Sequence, residues 1–197
     1  RDLVRSRGLG DVYKRQRVHW LELRLCLPAD GVREAFPNTA SCRERWVLMR
    51  WPGGVTCPLC EARDITHLES RQLYQCRTCR KQFSATAGTV AHQSRLDLRA
   101  WFIAAEDIIH AYSIGQETSR LTGHYLAQRY GISYTATHRF RKLLVSELRQ
   151  PGGGLVGACV CIEPLSPIPV PGQSLEDRFD GLYHELWKRT SRAWRLI

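Results

Sequence analysis

The sequence predicts an α+β fold that is mainly α: a small β ribbon, a helical domain containing a helix-turn-helix, and a C-terminal amphipathic helix. Three observations predict it. Four cysteines fall in two pairs, Cys57-Pro58-Leu59-Cys60 and Cys76-Arg77-Thr78-Cys79. Apolar residues recur at helical steps through Leu98, Phe102, Ala105, Ile109 and Tyr112. A Gly131-Ile132-Ser133 turn then divides two further helical stretches.

Composition narrows the class of partner. The 197 residues carry 29 Lys and Arg against 19 Asp and Glu, a formal charge of +10. Such a balance favours polyanions, most often nucleic acid. No apolar run approaches the roughly 18 residues of a membrane span, and no signal-peptide core with a cleavage site is present. A cytoplasmic, nucleoid-associated protein without a membrane partner is expected. Cys26, Cys42, Cys159 and Cys161 stand outside the two pairs, and a reducing compartment tolerates them as thiols. Cys159-x-Cys161 lacks the matching pair that a second metal site would need.

Along the chain, residues 1–16 are set aside. Ser6 to Gln16 resembles one reading frame of a transposon-end adaptor used in sequencing libraries. Residues 17–35 read as a leader of uncertain structure, in which alternating Leu21, Leu23, Leu25 and Leu27 suggest a short strand. Residues 36–92 hold a helix and the ribbon. Asn38 can accept from the free amides of a first helical turn. The helix runs through Cys42, Trp46 and Met49 and breaks at Trp51-Pro52-Gly53-Gly54. The cysteines then follow the C-x₂-C-x₁₅-C-x₂-C spacing of a structural zinc site. Two knuckles bring four thiolates to about 2.3 Å from one Zn²⁺ and leave no position for water, so the ion holds a fold and does no hydrolysis. Ile65–Leu68, Arg71–Gln75 and Gln82–Ser84 read as the ribbon's strands. So short a segment cannot build an adequate apolar core, and zinc would supply on the order of 10 kcal/mol or more. His67 and His92 read as surface histidines.

Residues 93–150 form the helical domain. Leu126 and Ala127 pack inside the first helix of the helix-turn-helix, Gly131 makes the turn, Ile132 plugs it and Ser133 caps the second helix. That helix would display Tyr134, Thr135, His138, Arg139, Arg141 and Lys142 to DNA, with Phe140, Leu143 and Leu144 inward. Arg77, Arg80 and Lys81 beside the ribbon would meet phosphates. Residues 151–173 read as a Gly/Pro-rich linker with a short strand. Residues 174–197 read as a helix with Ser174 and Asp177 as a capping box. Its stripe comprises Leu175, Phe179, Leu182, Tyr183 and Leu186, flanked by Trp187 and Trp194. Packing back on the helical domain, or serving as a partner-binding or homodimer contact, are its two readings; Lys188, Arg189, Arg192 and Arg195 could also touch a DNA backbone.

From Phe36 to about Gly157 the chain resembles the N-terminal half of zinc-ribbon DDE transposases of bacterial insertion sequences. The resemblance rests on Phe36-Pro37, Arg50-Trp51-Pro52-Gly53-Gly54-Val55-Thr56-Cys57-Pro58-x-Cys60 and Leu73-Tyr74-Gln75-Cys76-x-x-Cys79-Arg80-Lys81-Gln82-Phe83-Ser84. Ala87-Gly88-Thr89, Leu98-x-x-Trp101-Phe102 and the Gly131-Ile132-Ser133-Tyr134 turn follow in the family's order. It implies an element-end-binding module feeding an RNase H-like domain in which three acidic residues hold metal ions. Where the first catalytic aspartate should follow, this chain reads Gly152 to Glu163 and then Pro164, Pro167, Pro169 and Pro171. Two-metal phosphoryl transfer needs several converging carboxylates; Asp177 and Asp180 read instead as capping and surface charges. The expectation is zinc-dependent, sequence-specific binding of double-stranded DNA without enzymatic activity, by a chain either truncated or working with a separate catalytic subunit. The alternatives are a stand-alone transcriptional regulator, an active nuclease or transposase, and a protein-binding zinc adaptor.

Overall fold

A computed structural model describes residues 2–116 and 121–193, the stretches 2–10 and 191–193 by backbone alone. The fold is α+β and mainly α. Helix α1 spans Asp2–Cys26, α2 Val32–Ala35 and α3 Thr39–Arg50. Strands β1 Ile65–Leu68, β2 Leu73–Cys76 and β3 Gln82–Ser84 form an antiparallel sheet in the order β1-β2-β3. Then come α4 Leu98–Ser113, α5 Gly123–Tyr130, α6 Tyr134–Leu148, α7 Gly154–Val160 and α8 Leu175–Ala193.

The alternating leucines form no strand. Leu21, Leu23 and Leu25 lie in α1, which continues unbroken across residues 16 and 17, and Leu27 follows its last residue. Residues two apart in a helix are turned by about 200°, so the alternation produces two stripes on opposite sides. Trp20, Leu23 and Leu27 join the main core, whereas Val18, Leu21 and Leu25 form a second, smaller cluster with Leu182 of α8. A helix apolar on two sides is one that lies between neighbours, and α1 is packed by α4 on one side and α8 on the other.

Helix α3 starts as its sequence directs. The Asn38 side chain accepts from the Ser41 amide at 2.9 Å, and Ser41 completes a reciprocal capping box. Strand β2 begins two residues later than Arg71, because Glu69–Arg71 form a 3-10 turn ended by Gln72 in the left-handed region. Helix α4 is buried around most of its circumference, not on one face. Asp97 caps it, accepting from the Ala100 amide at 2.8 Å.

The strand expected within 151–173 is also absent from that place. Leu155, Val156, Cys159 and Val160 recur at one- and four-residue offsets, and they form α7, whose Val156, Cys159 and Val160 are fully buried. Glu147 accepts from the Leu155 amide at 2.8 Å to start the helix. Helix α7 packs against α3, α4 and α6 and is therefore core, not linker. Gly157 permits the packing: a Cβ there would stand 2.6 Å from the Gly152 carbonyl oxygen.

Helix α8 packs on α1. Arg178, buried, donates to Glu22 Oε1 at 2.8 Å and 3.0 Å, and Arg189 donates to the Leu25 carbonyl at 2.7 Å. Ser174 and Asp177 make their expected bond at 2.6 Å. Leu182 is buried, but Tyr183 and Trp187 stand 53% and 61% exposed, off the stripe. Trp194 and Arg195 lie outside the described residues, as does the side chain of Arg192.

Candidate metal centre and nucleic-acid interface

The four cysteines of the two knuckles converge. Their sulfurs all lie within 4.8 Å of one another, the one such group of His, Cys, Asp or Glu found among the described residues. Cys57 Sγ is 3.6 Å from Cys79 Sγ, and Cys60 Sγ is 3.6 Å from Cys76 Sγ. A disulfide would need about 2.05 Å. A tetrahedron of thiolates at about 2.3 Å from zinc has edges near 3.8 Å. The set is therefore positioned to hold one metal ion, as the spacing predicts, and neither His67 nor His92 takes part.

The knuckles share one backbone design. Cys57 N donates to the Ala62 carbonyl at 2.9 Å, and Cys76 N donates to the Lys81 carbonyl at 3.0 Å. In each, the residue just after the second cysteine turns left-handed: Glu61 and Arg80 both have φ of 60°. These two turn positions went unread in the sequence, because neither is a glycine.

Electrostatics inside the cluster favour a cation. The Cys79 amide, 3.5 Å from Cys76 Sγ, is the chief reason that the Cys76 thiol is lowered to about 6. Cys60 receives the Ala62 amide, which favours its thiolate, yet the Cys79 sulfur, burial and the other two sulfurs push it up to about 12. Four thiolates cannot crowd together without a positive ion among them. Zn²⁺ would supply that charge and tie the two knuckles into one unit.

The ribbon is fastened to α3 from beneath. Trp46, fully buried, donates through Nε1 to the Ala85 carbonyl at 3.0 Å. Arg50 donates to the Ala85 and Ala87 carbonyls, each at 2.5 Å. His67, Tyr74 and Phe83 are register partners across the three strands, and their rings stack at 4.9 Å and 5.7 Å. Arg77, Arg80 and Lys81 are all exposed on the second knuckle. Arg77 is engaged there, donating to Thr66 Oγ1 at 2.9 Å and facing Asp64 at 3.7 Å.

Helices α5 and α6 meet across the Gly131-Ile132-Ser133 turn. Gly131 has φ of 63°, the left-handed conformation that glycine adopts freely. Ser133 accepts from the Ala136 amide at 3.3 Å, and Thr122 caps α5 by accepting from the Tyr125 amide at 3.2 Å. Asp107 on α4 receives Arg129 and the Tyr130 hydroxyl, both at 2.8 Å, which locks α5 to the domain. Thr137, Phe140, Leu144, Val145 and Leu148 of α6 are buried. Thr135, His138, Arg139 and Lys142 share its exposed face, and Tyr134 stands at the edge of that face. Arg141, seven residues after Tyr134, lies at that same edge and is half-buried. Leu143, expected inward, is 40% exposed, and Thr137 takes the inward place instead.

Glu163 is half-buried, with its amide bonded to the Cys26 carbonyl at 2.9 Å. Asp177 is engaged in the α8 cap and Asp180 is exposed. None of the three joins a carboxylate cluster able to share an ion among the described residues. No described helix is long and apolar enough to cross a membrane.

Comparison with known proteins agrees with this geometry. Over 99 residues the chain is 29% identical to an uncharacterized protein in transposable element ISH50 of Halobacterium salinarum. That match covers 49% of this chain and 32% of the relative, so the chain spans about a third of that protein's length. No solved structure matches. Residues 37–82, from the start of α3 through both knuckles to the first residue of β3, match the family model of the transposase zinc-ribbon domain.

Proposed function

We propose that this chain binds double-stranded DNA sequence-specifically and in a zinc-dependent way, as the element-end recognition portion of a transposase-like protein. The observation that carries the reading is a transposase-type zinc ribbon on a chain of net charge +10, followed by two capped helices joined through a left-handed glycine. In this reading α5, the turn and α6 are a helix-turn-helix. The first turns of α6 enter the major groove, and Thr135 and His138 reach base edges. Arg139 and Lys142 continue that face and meet phosphates, while Arg80 and Lys81 hold a neighbouring stretch of backbone. Zinc fixes the second knuckle, and with it the position of those two charges. Strand transfer falls to carboxylates that the described residues do not bring together, in a catalytic subunit or a further part of the same system.

The test is selection of bound sequences from random duplex DNA by the zinc-loaded protein. Enrichment of a motif matching the inverted ends of the surrounding element is the expected result. An unrelated palindrome would make the chain a regulator of transcription. Absence of any enrichment, together with salt-independent retention, would end the DNA reading.

A further inference from the structure

Tyr134 opens α6, and its place in sequence suggests a side chain that reads a base. Its surroundings say otherwise. The ring lies over Gly123, the first residue of α5: a Cβ there would stand 2.6 Å from Tyr134 Cε2 and 3.0 Å from His138 Nε2. The His124 ring is 4.9 Å from that of Tyr134, and the His138 ring 4.5 Å away at 71°. Gly123 sits in ordinary helix, so its backbone conformation does not call for glycine. Among residues with a side chain, helix formation favours almost any over glycine. A methyl group here would press on the aromatic ring above and shift it.

We propose that Tyr134 is a positioning residue of the DNA interface: seated on Gly123 and held between His124 and His138, it fixes how closely the start of α5 meets the start of α6 and so aims His138. This rests on the DNA-binding reading given above. The two imidazoles and the Gly123 backbone hold one side of the tyrosine, which is otherwise 49% exposed, and leaving that seat would break both ring contacts at once. A positioning ring needs its area and shape, whereas a reader needs its hydroxyl.

The two roles separate experimentally in the zinc-loaded full chain, by duplex affinity, selected motif and thermal midpoint. Tyr134→Phe keeps wild-type affinity and motif. Tyr134→Ala lowers affinity about tenfold, a loss near 1.4 kcal/mol, and relaxes the base preference at the position that His138 reads. Gly123→Ala lowers affinity and midpoint in the wild-type background and does neither in the Tyr134→Ala background, since contacting residues are coupled. A Phe variant as weak as the Ala variant would overturn the proposal, as would wild-type affinity and motif on Tyr134→Ala. A Gly123→Ala penalty that persists without the ring would overturn it as well. Lack of duplex binding by every variant and the wild type would remove the DNA reading and this role with it; the midpoints would still show whether Gly123 seats the ring.

Discussion

Glu61 and Arg80 each stand at φ of 60° directly after a metal-binding pair. Left-handed backbone is uncommon for residues with a Cβ, and the two knuckles accept it so that the following amide-carbonyl pairing can close around the sulfurs. The cysteine spacing was fully legible, because thiols at two-residue intervals have few other uses. The turn residues were not, since only glycine announces such a conformation in a sequence. Cys76 is the best residue with which to test the site. Cys76→Ser should abolish retention of one equivalent of zinc and unfold the ribbon; atomic absorption after dialysis, with near-ultraviolet circular dichroism for the stacked Tyr74 and Phe83, reads both. Retained zinc would refute the four-sulfur site. Acidity should act in the same direction. Cys76 is lowered from 9.0 to about 6, so its contribution is complete above the unfolded value and fades as pH falls toward and through about 6. Protons and zinc compete for the same sulfurs. Zinc should stay bound near pH 8 and be released to a chromophoric chelator as the pH drops below about 6.

Among the elements, α1 and α7 show where sequence pattern misleads. Leucines at alternate positions satisfy the period of a strand, yet they also fit a helix with neighbours on two sides; only the arrival of α8 on the Leu21 and Leu25 side decides the matter. Helix α7 lies between glycines and prolines, which read as linker until Glu147 and the packing of Val156 and Val160 are in place. Helices α3, α5 and α6 were legible because Asn38 and Ser133 each cap a helix and Gly131 ends one, while the Thr122 cap went unread. On α6 the exposed face supplies its own prediction. Arg139→Ala with Lys142→Ala should weaken binding similarly for all duplexes and reduce the slope of log affinity against log salt by about two. Fluorescence anisotropy at several salt concentrations measures it; an unchanged slope would place the phosphate contacts elsewhere. Arg141→Ala, half-buried at the edge of that face, should change the slope less than the pair does.

At the scale of the whole molecule, the main core joins α1, α3, α4, α6, α7 and the ribbon, while among the described residues α8 packs through a separate cluster of Val18, Leu21, Leu25 and Leu182 and through the Arg178 and Arg189 bonds. Leu182 is fully buried there. Leu182→Ala should cost about 2–5 kcal/mol of local packing, enough to release α8 while the rest of the fold persists. Limited trypsin digestion should then cut at Lys188 and Arg189 and leave a protected remainder; uniform degradation would mean that α8 is integral to the core. The same arrangement bears on synthesis. Glu22 and its partner Arg178 are separated by 156 positions, a stretch that takes a ribosome roughly 10–30 s to translate. Through that interval Val18, Leu21 and Leu25 have emerged without their cover, and the nascent chain presents a greasy helix side to whatever chaperone attends the exit tunnel.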